Sequence, residues 1–216
     1  MDLVIKIGGS LCKYPKELRE LCQGLSIWLR NRKCILTPGG GPFADLVRQI
    51  QTEYGLSDDV AHEMALLAVD QYGLMLSSMI NGSTPVRTIT EAKRLVPSVI
   101  PIILPSHAIM SLDLLEHSWD AGSDCIAAAI AKACNANRLV LIKDVDGIYE
   151  PSTPSNILAE APLSQLEQMK TCLDPLLPRI LRGSNIECIV VNGLKPKRVK
   201  AVINGIKTTC TKIIAE

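Results

Sequence analysis

Five short runs in this chain, "LVIKI", "CILT", "SVIPIIL", "RLVLIK" and "ECIVVNG", are mostly apolar at consecutive positions rather than alternate ones. A strand with one wet face alternates apolar and polar residues. A strand apolar on both faces belongs inside a parallel sheet that is covered on each side. Helical patterns fill the intervals. One runs from about Pro15 to Asn31, with Leu18, Leu21, Leu25 and Leu29 on one face. Others begin at about Phe43 and at Asp58, the latter reaching about Ile80 with Asp58 and Asp59 in its first turn, where acids suit the dipole. "SDCIAAAIAKAC" reads as an alanine-rich helix opened by Ser123, "KPKRVKAVING" as a short helix, and "CTKII" as a closing strand. This alternation predicts an α/β fold, a mostly parallel sheet with helices on both faces, in one domain with two lobes. "YEPSTPSNILAEAP" reads as a surface loop.

Composition narrows the function classes. The 216 residues are 47% hydrophobic and 21% charged, as in a globular protein. A net charge of +1 makes no broad field for nucleic acid or an anionic membrane, and 3% aromatics leave few stacking platforms. The longest apolar stretch, "SVIPIILP", is too short to span a bilayer, and the start does not read as a signal peptide. The eight cysteines stand singly, with no CxxC, and read as small buried hydrophobes in a reducing cytoplasm. The three histidines form no metal-binding cluster, so no metal ligands are expected from the protein.

Three strands end in places that suit an anion. The first ends in "KIGGS": Lys6 either snorkels out at the strand end or faces a phosphate together with Gly8, Gly9 and Ser10. The second ends in "TPGGGP", where Gly39, Gly40 and Gly41 lead into a helix. Backbone N–H groups approach an anion closely there, or the glycines are just a turn. A later one ends in "KDVDG", placing Asp144 and Asp146 on a turn closed by Gly147, either a tight loop or a nucleotide or metal–water contact. Asp124, near a helix start, either serves the cap and dipole or holds cationic side chains. Neither GxxxxGK[ST] nor GxGxxG occurs, which excludes a P-loop protein and argues against a Rossmann dehydrogenase.

The ordered motifs "KIGGSL", "GGGPFAD", "SDCIAAAIA" and "KDVDGIY" resemble those of the amino acid kinase family, over nearly the whole chain. The resemblance implies a three-layer αβα sandwich, a Mg·ATP donor and γ-phosphoryl transfer to a carboxylate, carbamate or phosphate oxygen. It implies an acceptor lobe over about 1–135 and a nucleotide lobe over about 136–216. Carried onto this chain, Lys6 contacts the transferring group and Asp124 orients it. Gly8, Gly9 and Ser10 hold the ATP phosphates, and Lys143, Asp144, Asp146, Gly147 and Tyr149 line the nucleotide pocket. On the acceptor side stand Gly39, Gly40, Gly41, Asp59, His62 and Ser123. A small phosphorylated substrate and a homo-oligomer are implied as well.

Within the family, "DLLEHSWDAGSDCIA" and "VVNGLKPKRVKAVINGI" resemble a short archaeal and methylotroph branch that acts in methanofuran biosynthesis, converting an aminomethylfuran-methyl phosphate to its diphosphate. Asp58, Asp59, His62 or Glu63 would then meet the substrate's ammonium, unless they are simply a solvated helix start. The alternatives are a uridylate or isopentenyl phosphate kinase, or a non-catalytic nucleotide-binding protein. Two departures stand out. The family's second phosphate-binding lysine, in a "GGM"-like segment, has no counterpart in "QMKTCLDPLLPRILRGSN", leaving Lys170, Arg179 or Arg182 as replacements. The late "GT" pair is altered, with Thr209 followed by Cys210.

Overall fold

The computed structural model describes residues 1–112, 116–151 and 153–214, without the side chains of 111, 112 and 154. The first residues of "DLLEHSWDAGSDCIA", 113–115, and Ser152 of "YEPSTPSNILAEAP" lie outside that description.

The chain opens with β1 (Leu3–Ile7), a 3-10 turn (Gly9–Lys13) and α1 (Pro15–Trp28). Then come β2 (Cys34–Pro38), α2 (Gly41–Tyr54), α3 (Asp58–Met79), β3 (Ser83–Val86), α4 (Ile89–Leu95), β4 (Ile100–Ile103) and α5 (Pro105–Leu112). The second half holds α6 (Ser123–Ala133), β5 (Arg138–Lys143), β6 (Tyr149–Glu150), β7 (Thr153–Ile157), β8 (Glu160–Pro162), α7 (Leu163–Leu166), α8 (Leu177–Leu181), β9 (Glu187–Asn192), α9 (Pro196–Ile203) and β10 (Thr211–Ile214). Eight strands form one sheet in the order β3-β4-β2-β1-β5-β9-β10-β8, parallel except that β10 runs antiparallel to β9. β1 and β5 stand side by side at its centre, with Lys6 opposite Leu141.

Burial confirms strands covered on both faces, since every residue of β1, β2 and β4 is buried. Side chains alternate across the sheet. Leu3, Ile5, Ile7, Val140 and Ile142 pack with α1, α3 and α9 through residues such as Leu21, Tyr72 and Val202. Val4, Leu139 and Leu141 pack with α6 and α8 on the other side. The α6 stretch Ala127–Ala131 is nearly all alanine, which lets that helix lie close on the sheet. Helix, sheet, helix is the covered, mostly parallel sheet that the alternation predicts and the three-layer sandwich that the resemblance implies.

Some expectations are revised. "YEPSTPSNILAEAP" is not a plain loop: it forms the β6–β7 hairpin and then β8, which pairs with β10 as the sheet's edge. Ala161 is the one buried residue of β8, too little to leave a periodic signal. β3, α4, α5, α7 and α8 lie where no periodic pattern is marked, each being only four to eight residues long. The α1 helix stops at Trp28 rather than near Asn31, whose φ of +59° takes the chain out of helix. All eight cysteines are free thiols, five of them buried. Among the described residues no helix is long and apolar enough to cross a membrane.

Candidate active site

The site lies at the carboxyl ends of β1, β2 and β5, where ligands bind in open α/β sheets. Lys6, Leu141 and Lys143 project from the same face of the sheet, toward the start of α6, because side chains on paired strands alternate together. Asp124, in the first turn of α6, meets both lysines. Its Oδ1 lies 3.0 Å from Lys6 Nζ, an ion pair off the line of a hydrogen bond, and its Oδ2 lies 2.6 Å from Lys143 Nζ. Lys143 Nζ also donates to the Cys172 carbonyl at 2.6 Å. Asp124 has no exposed surface, and Lys6 and Lys143 are 4% and 9% exposed. Of the two readings of Asp124, the holding of cationic side chains is the one realised.

The cap of α6 comes instead from Asp174, which local reasoning about "SDCIAAAIA" does not reach. Asp174 Oδ2 accepts from the Asp124 N–H at 2.6 Å and from the Cys125 N–H at 3.3 Å. A Cβ on Gly122 would stand 2.7 Å from this carboxylate, so glycine there makes room for it. A carboxylate therefore already answers the positive end of α6, and the anion site must be built from other groups.

Those groups are the glycine loops. A Cβ on Gly9 would lie 2.1 Å from the Gly41 nitrogen, and one on Gly8 2.6 Å from the Ile142 carbonyl oxygen. The loops after β1 and β2 thus touch backbone to backbone, an approach only glycine permits. Gly8 and Gly39 donate their N–H groups to Ile142 O and Ile7 O and so extend the sheet. The N–H groups of Gly9, Ser10, Gly40 and Gly41 have no acceptor among the described residues. With Lys6, Lys143, Ser123 and Asp144 these four residues line a cleft of about 360 Å³. Ser10 Oγ donates to Asp144 Oδ1 at 2.7 Å, bracing one wall.

The charge balance explains the titration. Burial alone would raise Asp124, but the two ammonium groups hold its carboxyl below the ordinary range. Burial lowers Lys143, and Asp124 more than reverses that, so Lys143 stays charged. Asp174, buried and beside Asp124, is raised to about 6.

A second cavity of about 180 Å³ opens from the same glycines and extends between α2, α3 and α6. Ala65, Leu66, Val69 and Ile126 give it apolar walls, while Asp45, Arg48, Asp58, His62 and Asp174 supply charge or polarity. Arg48 lies over the Trp119 ring at 4.2 Å, and Trp119 Nε1 donates to Gln51 Oε1 at 2.6 Å. Trp119, from the segment before α6, is tied to α2 in this way and lines the cavity. Asp59 does not line the cavity: it is exposed and paired with His117 at 2.7 Å, while the His62 and His117 rings stack at 4.4 Å.

The remaining predicted residues are scattered. Asp146 Oδ1 accepts from Asn192 and Arg198 at 2.6 and 2.7 Å, Gly147 packs on Thr211, and Tyr149 is exposed on β6. None of the three lines the cleft. Arg179 and Arg182 pair on the surface with Glu116 and Glu167, and Lys170 is exposed, and none of the three lines the cleft. Asp174, Asp45, Arg48 and Trp119 are additions from the structure. Asp45 lies in "GGGPFAD", Trp119 in "DLLEHSWDAGSDCIA" and Asp174 in "QMKTCLDPLLPRILRGSN", but nothing local to those segments assigns them to the site.

Comparison with known proteins follows the same lines. The profile of the Amino acid kinase family matches residues 1–192. A [5-(aminomethyl)furan-3-yl]methyl phosphate kinase of Methanocaldococcus jannaschii is 31% identical over 212 residues, 98% of this chain and 97% of that protein. A uridylate kinase of Methanothrix thermoacetophila is 24% identical, covering 95% of this chain and 96% of its own length. The solved uridylate kinase of Archaeoglobus fulgidus superposes with a TM-score of 0.78 at 20% identity, covering 99% of this chain and all of that one. An amide-and-ammonium cradle at the ends of a parallel sheet is what a phosphoryl-transfer enzyme requires, and with a family match over 192 residues the chain belongs to the amino acid kinase family, kinases that take ATP as phosphoryl donor.

Proposed function

We propose that this kinase transfers the γ-phosphoryl group of ATP to a compact, cationic phosphate monoester, [5-(aminomethyl)furan-3-yl]methyl phosphate, forming the diphosphate. The observation that carries the reading is the 180 Å³ cavity joined to the phosphate cleft. It is small beside ligand pockets of roughly 300–1,000 Å³, and it combines apolar walls with acidic groups. The acceptor phosphate would enter by Gly40 and Gly41, its flat ring against Leu66, Val69 and Ile126, its ammonium toward Asp58 or Asp45. The full-length likeness to the Methanocaldococcus jannaschii enzyme supports the same acceptor.

The residues fit a nucleotide's phosphates: four residues with unspent N–H groups and three lysines, Lys6, Lys13 and Lys143, line one cleft. Mg·ATP, when bound, supplies the phosphoryl group and the metal's charge. Among the described residues no cluster of three metal-ligating side chains exists, so magnesium would arrive on the phosphates, with Asp144 the carboxylate on the cleft's nucleotide side. Lys6 and the loop amides would hold the reacting oxygens in line, which is most of what phosphoryl transfer asks of a protein. An acceptor phosphate enters largely as the dianion near neutral pH, so no side chain need remove a proton. That agrees with a cleft that contains no histidine.

The test is purified protein with Mg·ATP and a panel of the furan phosphate, UMP, isopentenyl phosphate and acetylglutamate, with products identified by mass. Diphosphate from the furan compound is expected. Transfer to UMP or isopentenyl phosphate but not to the furan compound would overturn the acceptor and leave the kinase.

A further inference from the structure

The reaction spreads charge over three oxygens of the transferring group, and a single buried lysine is little to set against it. The positions where sequence places a second cation do not line the cleft: Arg179 and Arg182 are spent on surface carboxylates and Lys170 is exposed. The cleft itself holds two more ammonium groups, the exposed Lys13 and the buried Lys143, and Lys143 is the one that shares the Asp124 carboxylate with Lys6. Lys143 ends β5, the strand hydrogen-bonded to β1, one side-chain repeat beyond the level of Lys6 on the same face. Both ammonium groups sit on the two oxygens of one carboxylate, Asp124, so a single phosphoryl group can reach both. Asp124 Oδ2 and the Cys172 carbonyl engage two of the three Lys143 protons, which leaves one, and Lys143 lines the cleft.

We propose that Lys143 is a catalytic residue, the second ammonium that contacts the transferring phosphoryl group, and that in this chain β5 supplies the charge missing from the segment before β9. The sequence-based role of Lys143 as one of several nucleotide-pocket residues is thereby narrowed. As the acceptor oxygen bonds to the γ-phosphorus, the bridging bond to ADP breaks and its electron pair stays on the β-phosphate. Lys143 and Lys6 neutralise the equatorial oxygens during that exchange without giving up a proton. Asp124 sets the spacing of the pair, and the Cys172 carbonyl keeps Lys143 from folding back along the sheet.

The test compares wild type with Lys143→Met, Lys143→Gln and, as control, Lys170→Met. The first readout needs no turnover and no acceptor: affinity for Mg·ADP with and without aluminium fluoride, a mimic of the phosphoryl group in flight. Wild type and Lys170→Met should bind ADP more tightly with fluoride, as a transition-state mimic demands. Both Lys143 variants should bind ADP within about threefold of wild type and lose at least about tenfold of the fluoride-dependent tightening. With whichever acceptor turns over, kcat should fall about 10²–10³-fold while KM for ATP changes little. Lys143→Gln keeps hydrogen-bond donors and guards against a packing defect. Retained tightening or near-normal kcat in either folded variant would overturn the proposal, as would a loss carried by Lys170→Met. Failure of both Lys143 variants to fold would make the residue structural and overturn it as well. Because the mimic assay contains no acceptor, a wrong acceptor assignment cannot be mistaken for a wrong role of Lys143.

Discussion

Replacing Asp124 by asparagine removes one negative charge and almost no volume. The carboxylate is wholly buried, and Lys6 and Lys143 are nearly so, at 3.0 and 2.6 Å from its two oxygens. In the variant two ammonium groups share a neutral amide, and deleting one partner of a buried ion pair costs about 3–5 kcal/mol. A chain of 216 residues has an unfolding entropy of about 0.45 kcal/mol/K near its midpoint, so Tm should fall by about 7–11 °C. Thermal melts followed by circular dichroism at low salt read this directly. Two accompanying signs identify the cause as charge rather than shape. Inorganic phosphate should raise the Tm of the variant more than that of wild type, because the uncompensated lysines bind an anion; at a hundredfold excess over Kd the gain is about 2.7 kcal/mol. The deficit should also narrow as pH rises toward 9. A lysine deprived of its carboxylate has a depressed folded-state pKa, the unfolded chain then binds more protons, and stability climbs with pH. A Tm within about 2 °C of wild type, with phosphate acting equally on both proteins, would refute the idea that Asp124 neutralises two buried ammonium groups.

Two further outcomes follow from the same geometry. Gly9→Ala places a Cβ 2.1 Å from the Gly41 nitrogen, backbone against backbone, whereas a Cβ on Gly55 meets nothing and faces only a φ of +63°. Urea unfolding should therefore show Gly9→Ala losing more than the ~1 kcal/mol of Gly55→Ala, with activity lost only in the former; equal losses would contradict the loop contact. Asp174 is raised, so the folded protein binds the extra proton between the ordinary carboxylate range and about pH 6. Its contribution to stability is greatest at the acidic end of that window and declines as pH rises through it. Asp174→Asn, whose amide oxygen still accepts from the Asp124 and Cys125 N–H groups, should remove that decline in a pH series of melts, and an unchanged profile would refute the assignment.

Much of the architecture is written locally. Consecutive apolar positions in "LVIKI" and "RLVLIK" already require strands covered on both faces, and the leucines of α1 mark the face that covers them. Lys6 is conspicuous by the same logic, a charge amid apolar neighbours that must reach water or an anion, and "PGGGP" marks either a turn or a backbone that something approaches closely. What approaches Gly41 first is another loop, the backbone of Gly9, and no pattern within either loop says so. β3, β8 and the short helices escape because few of their residues are buried in any regular order.

The charges of the site are the part that only the tertiary structure decides. Asp124 and Lys6 are 118 positions apart in the chain, and Lys143 reaches them because β5 happens to lie beside β1. Asp174 caps α6 from 50 positions away, replacing the local cap that a helix start leads one to expect. Hydrophobic burial is short-ranged in sequence because each element must hide its own face, so periodicity records it. An ion pair is satisfied by any opposite charge that the fold brings within a few ångströms, so the sequence alone leaves Lys6 to meet either water or an anion, and only the packed sheet says which carboxylate answers and which second lysine shares it.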